Sequence, residues 1–190
     1  MKKKQNLSVI ISGMPAVGKT TLAKAICRDF GFKHYSGGDA LKDIAKEKGY
    51  RVGDSDWWDT KSGLAFLADR KKNPSFDKEV DRKLTQKLDA SGIVVTSYPL
   101  PWLYKDALKI WLKASVQNRA KRMSNRDGIP HGKSLDIIEK RDRENVVLYK
   151  RLYGIKFGED LSVFDFVIST DRLQPKKVRE IVLCIVKQFE

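Results

Sequence analysis

The sequence predicts an α/β protein with a three-layer α/β/α architecture, in which helices cover both faces of a five-stranded parallel sheet. Short apolar segments alternate with helical segments along the chain, and a glycine-rich turn joins the first strand to the first helix. No apolar segment is close in length to the roughly 18 residues that a membrane-spanning helix needs. With 190 residues, the chain is most simply one domain, 1–190.

The five predicted strands are short, apolar and bounded by polar residues or glycine. They cover residues 9–12, 33–36, 93–97, 107–112 and 164–168. The helical segments cover residues 19–30, 39–48, 76–90, 115–126, 135–153 and 176–189. Right-handed crossovers place the first turn at the carboxyl edge of the sheet, where ligands bind in folds of this class.

The turn after the first strand carries the pattern G-x-x-x-x-G-K-T at residues 13–20. Glycines let backbone N–H groups converge on a polyphosphate, Lys19 can reach the β- and γ-phosphate oxygens, and the Thr20 hydroxyl can ligate Mg²⁺. We therefore expect a phosphate-binding loop, or P-loop, that holds ATP, with Thr20 as the metal ligand. The candidate nucleotide contacts are Gly13, Ala16, Val17, Gly18, Lys19, Thr20 and Thr21.

The net charge of +14 raises the possibility of nucleic-acid binding. Lys and Arg are scattered along the chain, however, and no aromatic-basic recognition signature accompanies them. Because two bound polyphosphates also need a surplus of cations, we expect no nucleic-acid partner. Cys27 and Cys184 lack metal-type spacing and are expected to be buried thiols of a reducing compartment.

The first residues predict no export signal. Three lysines at positions 2–4 are followed by too few apolar residues for a signal peptide. We expect a cytoplasmic protein with no membrane association, and a monomer in preference to an oligomer.

Two segments interrupt the alternation of strands and helices, at about 49–74 and about 127–135. In an enzyme that moves a phosphoryl group between two nucleotides, such inserts bind the acceptor and close over the site, because water must be excluded. We expect 49–74 to be an acceptor-binding insert and 127–135 a lid. Trp57 and Trp58 in the insert could stack on a base or form the core of a small subdomain.

Several motifs in a fixed order carry a resemblance to a known family. After the P-loop come Ser36-Gly37-Gly38-Asp39, the run from Asn73 to Arg82, the run 109–112 followed by 119–122, and the runs 149–155 and 160–165. Together they resemble the archaeal-type cytidylate kinases of the P-loop nucleoside monophosphate kinase superfamily, over nearly the whole chain. The resemblance implies a P-loop kinase fold and a Mg²⁺-dependent enzyme that converts CMP, or else dCMP or UMP, with ATP to the diphosphate and ADP.

The resemblance also implies roles for cations outside the P-loop. Arg119, Arg122 and Arg126 recur at i, i+3 and i+7 on one helical face, which the family directs toward the lid and the donor phosphates; a solvated stripe is the alternative. Arg141 matches a phosphate ligand of the family. The expected catalytic residues are thus Lys19, Arg122 and Arg141, with Arg119 as a further donor contact.

The expected acceptor contacts follow from the same resemblance. Lys42 stands where related kinases place an arginine on the acceptor phosphate, so it keeps the charge without the bidentate geometry; an exposed helix lysine is the alternative. Asp77 and Asp81 lie four apart at the start of a helix, where they could face the base or ribose or simply cap the helix. The substrate-binding candidates are Gly38, Asp39, Lys42, Asp77, Asp81, Ser97 and Arg143.

Three positions depart from the family pattern. Tyr98-Pro99 replaces a Gly-Arg pair after the third strand, and Leu148 stands where the family has a second arginine. Thr96 and Ser97 replace the usual acidic residue, so that Mg²⁺ would be held mainly by Thr20, waters and phosphates. These departures concern the identity of the acceptor more than the type of reaction.

Two other functions remain open at this point. A monophosphate acceptor is already largely ionised at pH 7 and needs no general base. A kinase of a hydroxyl substrate would need one, for which Asp39 is available, and AMP is another possible acceptor. The second alternative, from a different class, is an ATP-binding or ATP-hydrolysing protein associated with nucleic acid.

Overall fold

Five parallel strands form the centre of the molecule. The computed structural model describes residues 7–53, 60–73 and 75–190. The strands are β1 (Ser8–Gly13), β2 (Lys33–Ser36), β3 (Ile93–Thr96), β4 (Leu108–Lys113) and β5 (Phe166–Ser169). Their order in the sheet is β2-β3-β1-β4-β5, and every neighbouring pair is parallel. The predicted sheet is confirmed, with strand bounds that move by one or two residues.

Eight helices accompany the sheet in the part of the chain that the structure describes. They are α1 (Lys19–Phe30), α2 (Gly37–Glu47), α3 (Lys61–Lys72), α4 (Ser75–Leu88), α5 (Leu100–Leu103), α6 (Val116–Asp127), α7 (His131–Tyr153) and α8 (Pro175–Phe189). The sequence did not predict α3 or α5. The apolar residues of α3 do not gather on one face, and α5 is a single turn, so neither gives a periodic signal.

The gap between α6 and α7 is shorter than expected. Gly128 ends α6 in the left-handed conformation, and Pro130 directly precedes α7, which begins at His131. The expected start at position 135 is therefore wrong by one helical turn. Residues 127–135 contain the ends of two long helices and a connection of three residues, rather than a loop.

Apolar cores lie on both faces of the sheet. Val9 and Ile11 of β1 pack with α1 and α8, whereas Ile10 packs with α2 and α4. This alternation follows from strand geometry, in which successive side chains point to opposite faces. It confirms the predicted three-layer α/β/α arrangement.

The chain leaves β1 through a glycine that no other residue can replace without strain. Gly13 has φ +143°, and a Cβ there would lie 2.4 Å from the Leu112 carbonyl oxygen of β4. Gly18, at φ +105°, then precedes the first residue of α1. The P-loop thus passes tightly over the carboxyl edge of the sheet, as its pattern predicted.

The two thiols differ from the expectation. Cys27 is half-buried and Cys184 is exposed, because Cys184 lies on the outer side of α8. Among the described residues, no helix is both long enough and apolar enough to cross a membrane.

Candidate active site

Lys19 of the P-loop is held by three groups. Its Nζ donates to the carbonyl oxygens of Gly13, at 2.6 Å, and Met14, at 3.0 Å, and lies 4.5 Å from the centre of the Tyr98 ring. Burial, and then the neighbouring Arg119 guanidinium, lower the Lys19 pKa to about 7. An anion at this point would favour the charged ammonium, so the site is suited to a phosphate group.

Two cavities open on either side of the P-loop. The larger, which we call the loop cavity, has a volume of about 960 Å³. Its wall is formed by the P-loop, parts of α1 and α6, the end of β4 and the start of α8. It includes Ala16, Val17, Gly18, Lys19, Thr20, Thr21, Arg122, Arg126, Thr170, Leu173 and Pro175. The expected nucleotide contacts, apart from Gly13 and Arg119, are thus gathered around one cavity.

The smaller cavity, which we call the edge cavity, has a volume of about 480 Å³ and lies at the carboxyl ends of β2 and β3. Its charged side chains, within the described residues, are Arg70, Asp77, Asp81, Arg141 and Glu144. Thr20 lines both cavities, so the two spaces meet at the beginning of α1. This arrangement fits two substrates that approach each other across the P-loop.

Two aspartates of α4 are engaged at one end of the edge cavity. Arg70 Nη2 of α3 lies 2.6 Å from Asp77 Oδ1. The Tyr153 hydroxyl donates to Asp81 Oδ2 at 2.6 Å. Asp81 is 7% exposed, and its burial raises the pKa to about 6 despite the hydrogen bond from Tyr153. These aspartates are wall groups of the cavity and not helix caps alone.

Aromatic residues fill the region where the family arginines were missing. Tyr98 packs on Tyr149 and Phe157, with ring centres 6.0 and 5.8 Å apart, and Leu148 contacts the same cluster. Pro99 lines the edge cavity. The cations of this cavity come instead from α3, as Arg70, and from α7, as Arg141.

Arg119 lies deeper than expected. Its guanidinium makes two hydrogen bonds to Asp142 and further bonds to the carbonyl oxygens of Ala114 and Pro15, and its side chain is 3% exposed. It belongs to the wall of neither cavity. Protein oxygens already accept the hydrogen bonds of the Arg119 guanidinium beneath the P-loop, so this side chain is not directed at a cavity where a donor phosphate could bind.

Arg122 and Arg126 are better placed toward a ligand. Arg122 donates to the Thr170 hydroxyl at 2.9 Å, to the Thr170 carbonyl at 2.8 Å and to the Val17 carbonyl at 3.3 Å, and it lines the loop cavity. Arg126 lines the same cavity and pairs with Asp127. The three arginines share one face of α6, but they differ in burial. Arg119 is buried beneath the P-loop, whereas Arg122 and Arg126 line the loop cavity.

The other expected acceptor contacts have mixed positions. Gly38 and Ser97 line the edge cavity. Asp39 closes a capping box with Ser36 at the start of α2, which occupies the carboxylate that a hydroxyl kinase would need as a base. Neither Asp39 nor Lys42 lines the cavity; Lys42 Nζ lies 3.5 Å from the Gly53 carbonyl oxygen.

Arg143 does not reach either cavity. Its side chain is 71% exposed and lies 3.8 Å from Glu139, one helical turn away on α7. Two positions in a helix differ by about 200° in direction, so Arg141 and Arg143 cannot share a face. Of the two arginines, only Arg141 lines the edge cavity, and the expected substrate contact at Arg143 stays a prediction.

Sequence reasoning did not identify several residues of the cavity walls and of their hydrogen-bond partners, and two residues that it did name lie outside the described part. Arg70, Tyr149 and Tyr153 were not singled out; the basic run at residues 70–72 was the only sequence signal for the first of them. Trp57 and Trp58 lie outside the described residues. Their expected stacking or core role therefore stays a prediction.

The residues present fit a metal that arrives with a nucleotide. Thr20 is exposed at the first turn of α1, where its hydroxyl can reach a bound cation. No group of three or more histidine, cysteine or carboxylate side chains that could hold a metal exists in the described ranges. A site formed by Thr20, phosphate oxygens and waters suits Mg²⁺, which keeps several waters in its coordination shell.

Solved structures share this fold. An uncharacterised protein from Eubacterium ventriosum has a TM-score of 0.68 at 15% identity and covers 97% of this chain and 99% of its own. A shikimate kinase from Bacteroides thetaiotaomicron has a TM-score of 0.58 at 14% identity, over 95% and 98%. At such identities the likeness concerns the fold alone.

Sequence relatives are more specific. A cytidylate kinase from Pyrococcus horikoshii is 32% identical over 188 residues, which is 98% of this chain and 92% of the relative. A cytidylate kinase from Sulfurisphaera tokodaii is 33% identical over 180 residues, or 92% of each chain. The model of the cytidylate kinase-like family matches residues 8–172, from the first strand to just beyond β5. The matched range contains the P-loop and the whole edge cavity, whereas the loop cavity extends past it at the start of α8. The chain belongs to the cytidylate kinase-like family.

Proposed function

We propose that the chain is an ATP- and Mg²⁺-dependent nucleoside monophosphate kinase that phosphorylates CMP or dCMP to the diphosphate. One observation carries this proposal: Thr20, the P-loop residue after Lys19, lines both the loop cavity and the edge cavity. A donor in one cavity and an acceptor in the other would meet beside Lys19. The names of the sequence relatives support cytidylate as the acceptor.

The loop cavity is the proposed donor site. The P-loop backbone would cradle the ATP phosphates, and Lys19 and Arg122 would balance their charge. When bound, Mg²⁺ neutralises charge on the phosphate oxygens. Arg122 also donates hydrogen bonds to the Thr170 and Val17 carbonyl oxygens. It therefore connects the P-loop to the residue after β5 while it faces the donor.

The edge cavity is the proposed acceptor site. Arg141 and Asn145 come from the same face of α7 as the aromatic Tyr149, and all three line the cavity. We place the acceptor phosphate at Arg141 and the base toward Asp77 and Asp81. Carboxylate oxygens accept hydrogen bonds from the amine of cytosine, whereas uracil offers a carbonyl at the same position.

No general base is required for this transfer. The acceptor phosphate is largely ionised at pH 7, so the work of the protein is alignment and charge neutralisation. We propose that α6 and α7 with their short connection act as the lid, and that the segment 49–74 contributes Arg70 to acceptor binding. A single-domain organisation, a monomeric state and a cytoplasmic location stay predictions.

A panel of acceptors tests the function. Purified protein is mixed with ATP, Mg²⁺ and CMP, dCMP, UMP or AMP, and ADP formation is measured. We expect acceptor-stimulated turnover, with kcat/KM for CMP or dCMP above that for UMP by about ten- to a hundredfold, since an unpaired buried polar group costs about 1–3 kcal/mol. Turnover that no monophosphate stimulates would contradict the kinase, and AMP as the best acceptor would contradict cytidylate.

A further inference from the structure

Tyr153 lies behind the edge cavity, in the last turn of α7, where the proposed mechanism gives it no task. Its hydroxyl donates to Asp81 Oδ2 at 2.6 Å, and Asp81, unlike Tyr153, lines the cavity. The contact joins α7 to α4, 72 positions away in sequence. A hydroxyl that donates to one carboxylate oxygen fixes the rotamer of the carboxylate and leaves the other oxygen for a ligand.

We propose that Tyr153 is a positioning residue that sets the base preference of the acceptor site, by keeping Asp81 a hydrogen-bond acceptor. This inference rests on the proposed nucleoside monophosphate kinase activity. In the carboxylate form, Asp81 accepts from the amine on C4 of cytosine. In the acid form it carries an O–H and can donate to the carbonyl on C4 of uracil.

The surroundings of Asp81 make both forms accessible near neutral pH. Burial raises its pKa to about 6, while the hydrogen bond from Tyr153 and the charge of Arg70 oppose the rise, and the charge of Asp77 adds to it. Loss of the Tyr153 hydroxyl removes the hydrogen bond that stabilises the Asp81 carboxylate, and so raises the Asp81 pKa further. The acid form then persists to higher pH.

Besides Asp77 and Arg70, other titratable groups adjoin Asp81 or the wall of the edge cavity in the described part of the chain. Tyr149 and Tyr153 approach from α7, and burial raises the pKa of both well away from neutrality. Arg141 and Glu144 of α7 line the same cavity. On β2, His34 contacts the Thr96 hydroxyl of the cavity wall at 3.2 Å, and burial lowers its pKa. A variant that keeps His34 and loses the Asp81 carboxyl separates these two titrations.

The test compares base preference across pH. kcat/KM is measured for CMP and UMP between pH 5.5 and 8.5 in the wild type, Tyr153→Phe, Asp81→Asn and the control Tyr104→Phe. Tyr104 also donates to an aspartate, Asp89, at 3.0 Å, but on the surface. The ratio of the two constants cancels the ionisation of the acceptor phosphate, which is the same group in both substrates.

We expect the wild-type CMP/UMP ratio to fall as the pH drops through about 6, the pKa of Asp81. In Tyr153→Phe the fall should occur at higher pH, and the ratio at pH 7 should be about tenfold below the wild type, as a hydrogen bond to a charged group would give. Tyr104→Phe should match the wild type. Asp81→Asn, whose amide both donates and accepts, should show a low ratio that does not follow the same titration.

Two results would overturn the inference while leaving the kinase intact. One is a Tyr153→Phe ratio with the wild-type value and midpoint. The other is an Asp81→Asn ratio that keeps the wild-type titration, which would assign the titration to His34 and leave Tyr153 without the proposed role. This second result overturns the inference even if Tyr153→Phe does not fold. Failure of the proposed function differs from both, because neither CMP nor UMP would then be phosphorylated by the wild type.

Discussion

Arg119 of α6 and Asp142 of α7 form a two-pronged ion pair, with 2.9 Å from Nη1 to Oδ1 and 2.6 Å from Nη2 to Oδ2. Nη1 also lies 3.3 Å from the Pro15 carbonyl oxygen of the P-loop. One buried guanidinium thus connects α6 and α7 to the loop that is proposed to hold the donor. Removal of its carboxylate partner would leave a buried charge uncompensated.

Asp142→Ala should therefore lower the free energy of unfolding by about 3 kcal/mol, measured by urea denaturation. The matched control is Glu180→Ala, which removes an exposed ion pair with Lys177. The Lys177 side chain is 65% exposed and that of Glu180 is 46% exposed. That change should stay within about 0.5 kcal/mol. Equal effects of the two substitutions would mean that the Arg119 pair contributes no more than a surface contact.

Most of the sheet was predictable from sequence because every strand except β2, which consists of Lys-His-Tyr-Ser, contains a short apolar run. In β1, Val9, Ile10 and Ile11 are all fully buried, since helices cover both faces, and such a run stands out against charged helices. The start of α7 was not predictable, since the glycine and proline at 128 and 130 signal a break without giving its length. α3 lacked an apolar face and gave no periodic signal.

The candidate site also has a part that the sequence predicted and a part that it did not. The P-loop is local, so its spacing alone predicted where Lys19 and Thr20 would lie. Arg70 and Tyr153 reach Asp77 and Asp81 through the packing of α3 and α7 on α4, which no local pattern encodes. Helical spacing predicted a common face for the arginines of α6 but not the burial of Arg119, because periodicity gives direction and not depth.

Lys19→Ala should lower kcat for phosphoryl transfer by at least about 100-fold, the cost of removing one transition-state charge contact. Since burial lowers the pKa of Lys19 to about 7, the charged form gains nothing from folding, and the thermal midpoint should not fall. The control is Lys187→Ala in the last turn of α8, outside both cavities. Near-normal turnover by folded Lys19→Ala would exclude the P-loop mechanism.

Arg141 and Arg143 offer a matched pair on one helix. Arg141→Ala should reduce kcat/KM for the acceptor by about 100-fold or more, since Arg141 faces the edge cavity. Arg143→Ala should change it by less than about twofold, because an exposed side chain paired with Glu139 contributes little. Steady-state kinetics with varied CMP measure both, and a larger loss for Arg143 would reverse the assignment of the two faces.

Arg70 should contribute to acceptor binding more than to the chemical step. Arg70→Ala is expected to raise KM for CMP by about tenfold with a smaller change in kcat, because it removes a cation from the edge cavity and the ion-pair partner that holds Asp77 beside the proposed base position. Arg70→Lys should recover only part of the effect, since an ammonium lacks the planar fork. Arg82→Ala, an exposed arginine on α4, is the control. If KM for ATP rose instead, Arg70 would belong to the donor side.

Asp81 should make the protein less stable as the pH rises. Its pKa is about 6 in the folded state against an ordinary 3.8, so the folded state binds the proton more tightly than the unfolded state. The cost of ionising the buried carboxyl is absent below about pH 4 and fully present above about pH 7, where a shift of about two units corresponds to about 3 kcal/mol.

Asp81→Asn removes this cost and keeps an oxygen that can accept the hydrogen bond from Tyr153. We expect the variant to be more stable than the wild type by about 2–3 kcal/mol at pH 8, with a gain that shrinks as the pH falls toward about 4. Asp89→Asn, at an exposed aspartate, should give no such pH-dependent gain. Urea denaturation at four or more pH values measures the difference. A gain for Asp81→Asn together with weaker CMP selectivity would show that the cavity retains a destabilising carboxylate because it serves recognition, whereas equal stability at every pH would mean that its carboxyl is as well solvated as a surface one.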